Sequence, residues 1–207
     1  MWSLLIYIIV LLLVNVAESN RGFGIIGGTR TNIANLPYQL AYFSNGHYRC
    51  GASLISNVFA LTAGHCVVQF PIDITLRAGS TYKDTGGILI NVKQAFYHPY
   101  FVPATFQNDF ALLYFDKPVV FSNLIQPVSL PTWNTVVYDG TTCTVAGWGK
   151  MENNKLSADL KSTNVQIVNQ YVCQANYYTS QVTRLTITNE MICAGSYYGG
   201  NDGNLQL

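Results

Sequence analysis

His65 and Asp109 are the two residues whose types and settings suggest proton-transfer chemistry. His65 lies among small residues in the stretch ALTAGHC, and Asp109 directly precedes the apolar run FALLYF. A carboxylate at the mouth of a buried strand is costly unless it has a partner. A histidine is one such partner, because the carboxylate accepts a ring N–H, fixes the tautomer and stabilises the imidazolium. Taken singly, each residue also fits a simpler interpretation, as a histidine that follows a strand and an aspartate that caps a turn.

Cysteines lie close to the histidine in the sequence. The chain has five cysteines, at positions 50, 66, 143, 173 and 193. A bridge between Cys50 and Cys66 would clamp the backbone at His65 and stabilise the fold by about 3 kcal/mol in the chain-entropy model. Because five is odd, one cysteine lacks a partner within the chain. No CxxC motif occurs and His47 and His98 show no ligand spacing, so no metal site is predicted.

The first 19 residues predict a secretory signal peptide. An unbroken apolar run from Leu4 to Val14 is 11 residues long. It is too short to cross a hydrocarbon core of about 30 Å as a helix, and it has the length of a signal-peptide core. No Lys or Arg precedes Arg21, so the positively charged N-terminal region that is usual in signal peptides is weak. A retained membrane anchor is therefore the alternative. We expect a secreted, extracellular chain with no membrane association after cleavage, in a compartment that permits disulfides.

Charge and composition exclude some function classes. The 11 Lys and Arg and 10 Asp and Glu residues give a net charge of +1, and no basic block occurs. This balance argues against nucleic acid as a partner. With 49% apolar and 10% charged residues, the chain can bury a core rather than remain disordered.

Short β-strands separated by turn residues dominate the chain. The stretch IDITLR alternates strictly, with Ile72, Ile74 and Leu76 on one face, and ILINV, TCTVAGWG and TNVQIVN are further β segments. This pattern is typical of an all-β sandwich or barrel. In NVQIVNQYVCQANYY the apolar spacing changes to three and four residues, which predicts a short helix in its later part. A proline-spaced stretch from Pro118 to Pro131 predicts a connection between two β-rich halves.

Together, these stretches resemble the trypsin and chymotrypsin family of serine proteases. The resemblance covers roughly residues 25–202. It is carried, in the family's order, by IIGG, LPYQL, CGASLIS, TAGHC, DFALL, SLP, AGWG and MICAG. The most specific pair is TAGHC with DFALL, which begins 44 residues after the histidine.

The resemblance implies an all-β fold of two antiparallel β-barrels with the active site between them, the second barrel being incomplete in this chain. The implied segments are a short propeptide at 20–24, the first barrel at 25–117, the connection at 118–135 and a partial second barrel at 136–207. It makes His65 the general base and acid and Asp109 its orienting carboxylate, and it implies no cofactor. It also implies the disulfides Cys50–Cys66 and Cys173–Cys193 and leaves Cys143 unpaired.

Two further residues take roles from the resemblance. Ile25 corresponds to the activated N-terminus of the family, but Gly24 stands where Arg or Lys is usual and Arg21 lies three residues earlier. The activation cleavage is therefore left open. Asp202 corresponds to the floor of the primary specificity pocket, where a carboxylate favours Lys or Arg before the cut bond. The simpler interpretation of NDG at this position is a turn.

The family's pattern is lost after Asp202. The nucleophilic serine is expected at about position 208, so the resemblance predicts a base and its carboxylate without the nucleophile and the oxyanion loop. One hypothesis is an incomplete or alternatively ended form of a secreted trypsin-like endopeptidase, which acts on protein or peptide substrates when completed. A second is a non-catalytic homologue that binds a protein partner such as a protease, an inhibitor or a receptor. A third is an unproductive, misfolded product.

Overall fold

The computed structural model describes residues 28–151, 153–179 and 186–195. Strands in these ranges are β1 Thr29–Arg30, β2 Gln39–Ser44, β3 His47–Leu54, β4 Phe59–Thr62, β5 Ile74–Ala78, β6 Ile88–Tyr97, β7 Ala111–Phe115, β8 Thr142–Gly147, β9 Lys161–Ile167 and β10 Ala194–Gly195. Helices are α1 Gly64–Gln69, α2 Gln170–Thr179 and a 3-10 helix at Ile33–Asn35. The predicted signal peptide (1–19) and propeptide (20–24) lie outside the described residues.

Six of the strands close into an antiparallel barrel in the order β2, β3, β4, β7, β6, β5. The alternation predicted for IDITLR is seen in β5, where Ile74, Leu76 and Ala78 point into the barrel core. Ile72, predicted on the same face, lies before the strand and is 63% exposed. The predicted all-β character with a closed barrel is thus confirmed.

A second, partial sheet has β9 at its centre. Within the described residues β9 pairs antiparallel with β8, β1 and β10. Its apolar face carries Val165, Ile167 and Ala194, with Cys143 and Val145 packed beside them. The strand β1 lies within the range predicted for the first barrel, yet it pairs with β9. The N-terminal strand therefore crosses from the first half of the sequence to the second sheet.

Trp148 joins the barrel to the second sheet. Its side chain is buried and packs against Ala41 and Phe43 of β2 and against Leu160. Its indole Nε1 donates a hydrogen bond to the carbonyl of Thr81 at 2.9 Å, which satisfies the donor of a buried Trp. All six residues of β2 are buried, because one face fills the barrel and the other meets the Trp148 cluster.

The short helix predicted from NVQIVNQYVCQANYY is α2. It begins after Asn169, whose Oδ1 accepts hydrogen bonds from the backbone N–H of Tyr171 at 3.0 Å and of Val172 at 3.4 Å, as helix-capping asparagines do. The disulfide Cys173–Cys193 ties α2 to the segment before β10. In the described part of the chain, neither α-helix has the length and apolar content needed to cross a membrane.

Tyr42 holds α1 against the barrel. Its hydroxyl donates a hydrogen bond to the carbonyl of Phe70 at 2.8 Å and lies 3.3 Å from the carbonyl of Cys66. Phe70 is the C-cap of α1, at the end of the helix where carbonyl groups lack helical partners. Burial raises the pKa of Tyr42 to about 12 from its ordinary value of 10.0.

We expect Tyr42→Phe to lower the free energy of unfolding at neutral pH by about 1 kcal/mol, because the carbonyl of Phe70 loses its donor. In the parent chain the unfolded state ionises Tyr42 near pH 10, whereas the folded state holds the proton until about pH 12. Stability from Tyr42 is therefore present below pH 10 and is lost between about pH 10 and 12. Burial also raises the pKa of Tyr48, so the variant should reduce this alkaline loss without abolishing it. Urea unfolding from pH 8 to 11.5 measures both effects, and an unchanged alkaline slope would contradict the prediction.

Gly87 occupies a position that excludes a side chain. Its φ is +60°, and a Cβ atom there would lie 2.0 Å from the carbonyl oxygen of Ala78. Gly46, in the turn between β2 and β3, has a similar φ of +73° but open space around it. Comparing alanine substitutions at the two glycines therefore separates the free-energy cost of a left-handed conformation from the cost of a backbone clash.

We expect Gly46→Ala to cost about 1–2 kcal/mol, the usual penalty of the left-handed region. Gly87→Ala should cost clearly more, because the backbone at the start of β6 must also move away from β5. Urea unfolding of both variants checks the difference. Equal losses would show that the contact with Ala78 relaxes without cost.

Candidate active site

The pairing of β4 with β7 brings His65 and Asp109 together. Thr62, the last residue of β4, lies opposite Ala111, the first residue of β7. His65 follows β4 by three residues and Asp109 precedes β7 by two, so both lie at the same end of this strand pair. Residues 44 positions apart in the sequence thereby become neighbours.

Both oxygens of Asp109 accept hydrogen bonds from His65. The ring Nδ1 lies 2.7 Å from Oδ2, and the backbone N–H donates to Oδ1 at 2.7 Å. An ionised carboxylate only accepts hydrogen bonds, so Nδ1 is the donor. In the neutral ring, Nε2 then carries the lone pair and is the basic nitrogen. Both side chains are mostly buried, with exposed fractions of 13% and 18%.

Asp109 also caps α1 from a different element. Ala63, at the N-cap position, makes no side-chain cap hydrogen bond. The N–H of His65, in the first turn, is bonded by Asp109 instead. A negative charge at this end is favoured by the helix dipole. The carboxylate therefore orients both the helix and the ring that the helix carries.

The loop before β7 shapes the surroundings of His65. Phe106 and Asn108 have φ values of +56° and +54°, and Asn108 Nδ2 bonds the carbonyl of Tyr100 at 3.1 Å. A left-handed phenylalanine is uncommon and costs about 1–3 kcal/mol. The bend turns the ring of Phe106 edge-on to the imidazole, with the centroids 5.7 Å apart. Phe106 was not predicted as a neighbour of His65, since nothing in the run FYHPYF or after it specifies which aromatic ring meets the histidine.

The small residues around His65 are required by this close packing. A Cβ atom on Gly64 would lie 3.2 Å from Asp109 Oδ1 and 3.3 Å from Cγ of Phe101. A larger side chain would therefore push the loop away from α1. The sequence showed that small residues surround the histidine, but only the structure shows which atoms need the room.

The disulfide Cys50–Cys66 joins β3 to α1 beside the histidine. Cys66 Sγ lies 3.4 Å from Nε2 of His65. Within the described ranges, the group of three side chains that could hold a metal ion is Cys50, His65 and Cys66. In the disulfide form the two sulfurs are bonded to each other and cannot act as thiolate ligands. Cys143 has a free thiol and is half-buried on β8.

Ile25, predicted as the activated N-terminus, and Asp202, predicted as the pocket floor, lie outside the described residues. Of the predicted site residues, the structure thus brings together His65, Asp109 and the first disulfide. Their catalytic roles stay predictions at this point.

We expect Asp109→Asn to lower the free energy of unfolding by about 1.5–3 kcal/mol, the usual worth of hydrogen bonds to a charged group. The asparagine has one acceptor oxygen, so its NH₂ group would face one of the two N–H donors of His65. Asp116→Asn, at an exposed aspartate, is the matched control and should stay within about 0.5 kcal/mol. Urea unfolding compares the two variants. Equal effects would mean that the two hydrogen bonds to Asp109 add nothing to stability.

Known proteins share these features over most of the chain. A family model described as Trypsin matches residues 25–204. Trypsin 5G1 of Aedes aegypti is 36% identical over 74% of this chain and 58% of its own length. The vitellin-degrading protease of Bombyx mori is 33% identical over 74% of this chain and 59% of its own length. Human granzyme M is 34% identical over 75% of this chain and 61% of its own length. The chain thus spans about three fifths of the length of these relatives.

Solved structures show the same fold. The scabies mite inactivated protease paralogue S-D1 superposes with a TM-score of 0.77 at 27% identity, over 84% of this chain and 75% of that one. Neuropsin, a serine protease of mouse brain, superposes with a TM-score of 0.74 at 26% identity, over 85% of this chain and 77% of that one. With the family model, the relatives and the barrel in agreement, the chain belongs to the trypsin family of serine proteases.

Proposed function

We propose that this chain carries the proton-transfer part of a secreted, trypsin-like serine endopeptidase, with His65 as general base and acid and Asp109 as its orienting carboxylate. The observation that carries the proposal is the pair of 2.7 Å hydrogen bonds from the ring and the backbone of His65 to the two oxygens of Asp109. This arrangement fixes which ring nitrogen is basic and holds it in one orientation.

The proposed role of His65 follows from its tautomer, in which Nδ1 carries the proton and Nε2 is the basic nitrogen. In this family a serine hydroxyl attacks the carbonyl carbon of the peptide bond while Nε2 of the histidine takes its proton. The imidazolium so formed is stabilised by the carboxylate, which stays ionised. The same nitrogen then gives the proton to the leaving amine, and water cleaves the acyl-enzyme by the reverse sequence of proton transfers. His65 and Asp109 are the residues that this chain would contribute to each of these steps.

The nucleophile is the part of this machinery that the 207 residues do not supply. No serine stands in a Gly-Asp-Ser-Gly-Gly setting in the 207 residues. Without a serine there is no acyl-enzyme, and without the loop around it the oxyanion donors are not positioned. Loss of one such donor costs about 10²–10³ in rate. We therefore propose that these 207 residues on their own do not hydrolyse peptide bonds.

Specificity and localisation complete the proposal. A carboxylate from Asp202 at the pocket floor would select Lys or Arg before the cut bond by charge pairing. A signal peptide at residues 1–19 would direct the chain out of the cell. The two disulfides support this, because such bonds persist in oxidising compartments. Release of an amine at Ile25 would be the activation step.

A second candidate function is a non-catalytic binding protein. The segment between β7 and β8 exposes large apolar side chains, with Trp133 98% exposed and Val136 and Tyr138 65% and 72% exposed. Exposed apolar groups close together are typical of interaction sites. The similarity to a structure described as an inactivated protease paralogue favours the same candidate. A protein partner, such as a protease, inhibitor or receptor, would then cover this segment.

An activity-based label separates the two candidates. The 207-residue chain, secreted from eukaryotic cells and purified, is treated with a fluorophosphonate that acylates activated serines. We expect no labelling and no cleavage of Lys or Arg peptide amides. The product of any longer transcript that continues into a Gly-Asp-Ser-Gly-Gly segment should be labelled once the amine at Ile25 has been released. In that product His65→Ala should lower kcat by about 10⁶-fold, as loss of the histidine does in such triads.

The matched control is His47→Ala, which removes an exposed histidine on β3 and should leave labelling intact. Equal losses in the two histidine variants would contradict the role of His65. Turnover by the 207 residues alone that disappears in His65→Ala would contradict the proposed inactivity. A serine-bearing product that is never labelled would favour the binding protein.

A further inference from the structure

The strand β8 has one edge that no strand of the described residues covers. It pairs with β9 on one side, and no other described strand pairs with it. Its sequence, TCTVAG, contains no charged residue and no proline, which are the usual means of keeping other chains off a strand edge. The uncovered side of β8, called the open edge below, therefore offers a template for a further strand.

The hydrogen bonds just before β8 show which of its main-chain groups point to the open edge. Gly140 N–H donates to the carbonyl of Ile167 at 2.8 Å, and Ile167 N–H donates to the carbonyl of Thr141 at 2.9 Å. Thr141 thus bonds to β9, and successive residues of an antiparallel strand bond to opposite neighbours. The N–H and carbonyl groups of Thr142 and Thr144 therefore point away from β9, into the open edge.

Cys143, between these two threonines, has a free thiol on the same strand. Its side chain is half-buried on the apolar face of the sheet, beside Val165 and Ile167. Because its main chain bonds to β9, Cys143 takes a non-hydrogen-bonded position towards any strand that joins the open edge. Opposed residues at such positions have Cα atoms about 4.5 Å apart, within the range of about 4.4–6.8 Å that a disulfide spans. A cysteine directly opposite could therefore form a disulfide with Cys143.

We propose that the open edge binds β8 of a second copy of this chain, antiparallel about a two-fold axis at Cys143, and that a Cys143–Cys143 disulfide locks the pair. In this register Thr142 lies opposite Thr144 of the second copy, and the two exchange both main-chain hydrogen bonds. Both threonine side chains are exposed, and opposed threonines are a favourable cross-strand pair. The same patch is used by both copies, as a two-fold interface requires.

The chemistry of the edge favours a second copy over a different extended peptide. Strand β8 carries no charge that would select an oppositely charged partner. An unrelated peptide could use the main-chain hydrogen bonds, but only a strand with a thiol at the right position also pairs Cys143. We expect two six-residue edges to bury less than the about 1,200 Å² of a stable interface. The hydrogen bonds alone thus give a weak dimer, and the disulfide makes it permanent.

The disulfide forms by thiol–disulfide exchange with a small disulfide such as glutathione disulfide. The Cys143 thiolate of one copy attacks a glutathione sulfur, which forms a mixed disulfide and expels one glutathione thiolate. The Cys143 thiolate of the second copy then attacks the protein sulfur and expels the other. Two electrons pass from the two protein thiols to glutathione disulfide, and the two thiol protons end on the released glutathiones or in solvent. The pairing uses neither His65 nor Asp109, so it is independent of the proposed catalytic role.

The test measures the mass and the linkage of the oxidised chain. The 207-residue chain, secreted and purified, is incubated with glutathione disulfide and analysed by light scattering without reductant. We expect twice the mass of the monomer, and peptide mapping of mixed isotope-labelled and unlabelled chains should show Cys143 joined to Cys143 of another copy. Amide hydrogen exchange at Thr142 and Thr144 should slow by more than about tenfold in the dimer, because both N–H groups gain acceptors. The amide of Cys143, bonded to β9 in either state, is the internal reference.

Variants separate the edge from the thiol. Cys143→Ser should abolish the covalent dimer. Thr144→Pro keeps the thiol but removes an N–H that β9 does not use, a change that edge strands tolerate, and should slow dimer formation at least about tenfold. The matched control combines Cys143→Ser with Val145→Cys, which moves the thiol two residues along the same face. In the proposed register that thiol lies opposite Thr141 of the second copy, so no covalent dimer should form. Circular dichroism checks that each variant is folded.

Three results would overturn the proposal. One is a folded monomer whose Cys143 stays free or ends as a glutathione adduct. Another is a dimer that forms equally fast with the thiol moved to position 145, which would mean that exposed thiols collide without strand pairing. The third is a dimer in which the amides of Thr142 and Thr144 exchange as fast as in the monomer, because the open edge would then be unused. If Thr144→Pro unfolds, the moved thiol and the amide exchange decide the result.

Discussion

The carboxylate of Asp109 is the constraint on which the site depends. One oxygen holds the imidazole of His65 and the other holds the backbone N–H of the same residue. A single side chain therefore fixes the start of α1 and the orientation of the ring at its first turn. Because the pairing of β4 with β7 sets the distance between the two residues, the geometry of the site is a direct product of the barrel's register.

Other contacts hold α1 from its remaining sides. The Cys50–Cys66 disulfide ties it to β3, and the hydroxyl of Tyr42 ties its C-terminal end to β2. These links hold α1 to the barrel, and the second sheet meets the barrel through Trp148 and its neighbours. The same closeness that clamps the helix places sulfur beside Nε2.

The two candidate functions make different demands on the same scaffold. Catalysis needs a serine and oxyanion donors brought to Nε2 of His65, so most of its free-energy cost lies in positioning these groups. Binding needs only a stable surface, and the exposed apolar side chains around Trp133 offer one. A barrel that is closed and packed by itself supports either outcome. Family membership alone does not choose between them, since function depends on the site rather than on the fold.

Local patterns in the sequence determined the β character of the chain, the helix at Gln170–Thr179 and the pairing of a histidine motif with an aspartate motif. Strict alternation, helical spacing and motif order can each be recognised from neighbouring residues, without knowledge of the tertiary structure. Only the tertiary structure decided which strands meet and which atoms touch. It placed β1 in the second sheet, turned Phe106 onto the imidazole and set Cys66 Sγ 3.4 Å from Nε2. These contacts join residues across loops and strand pairs, and their geometry depends on register, backbone bends and packing, for which a single sequence carries no local signal.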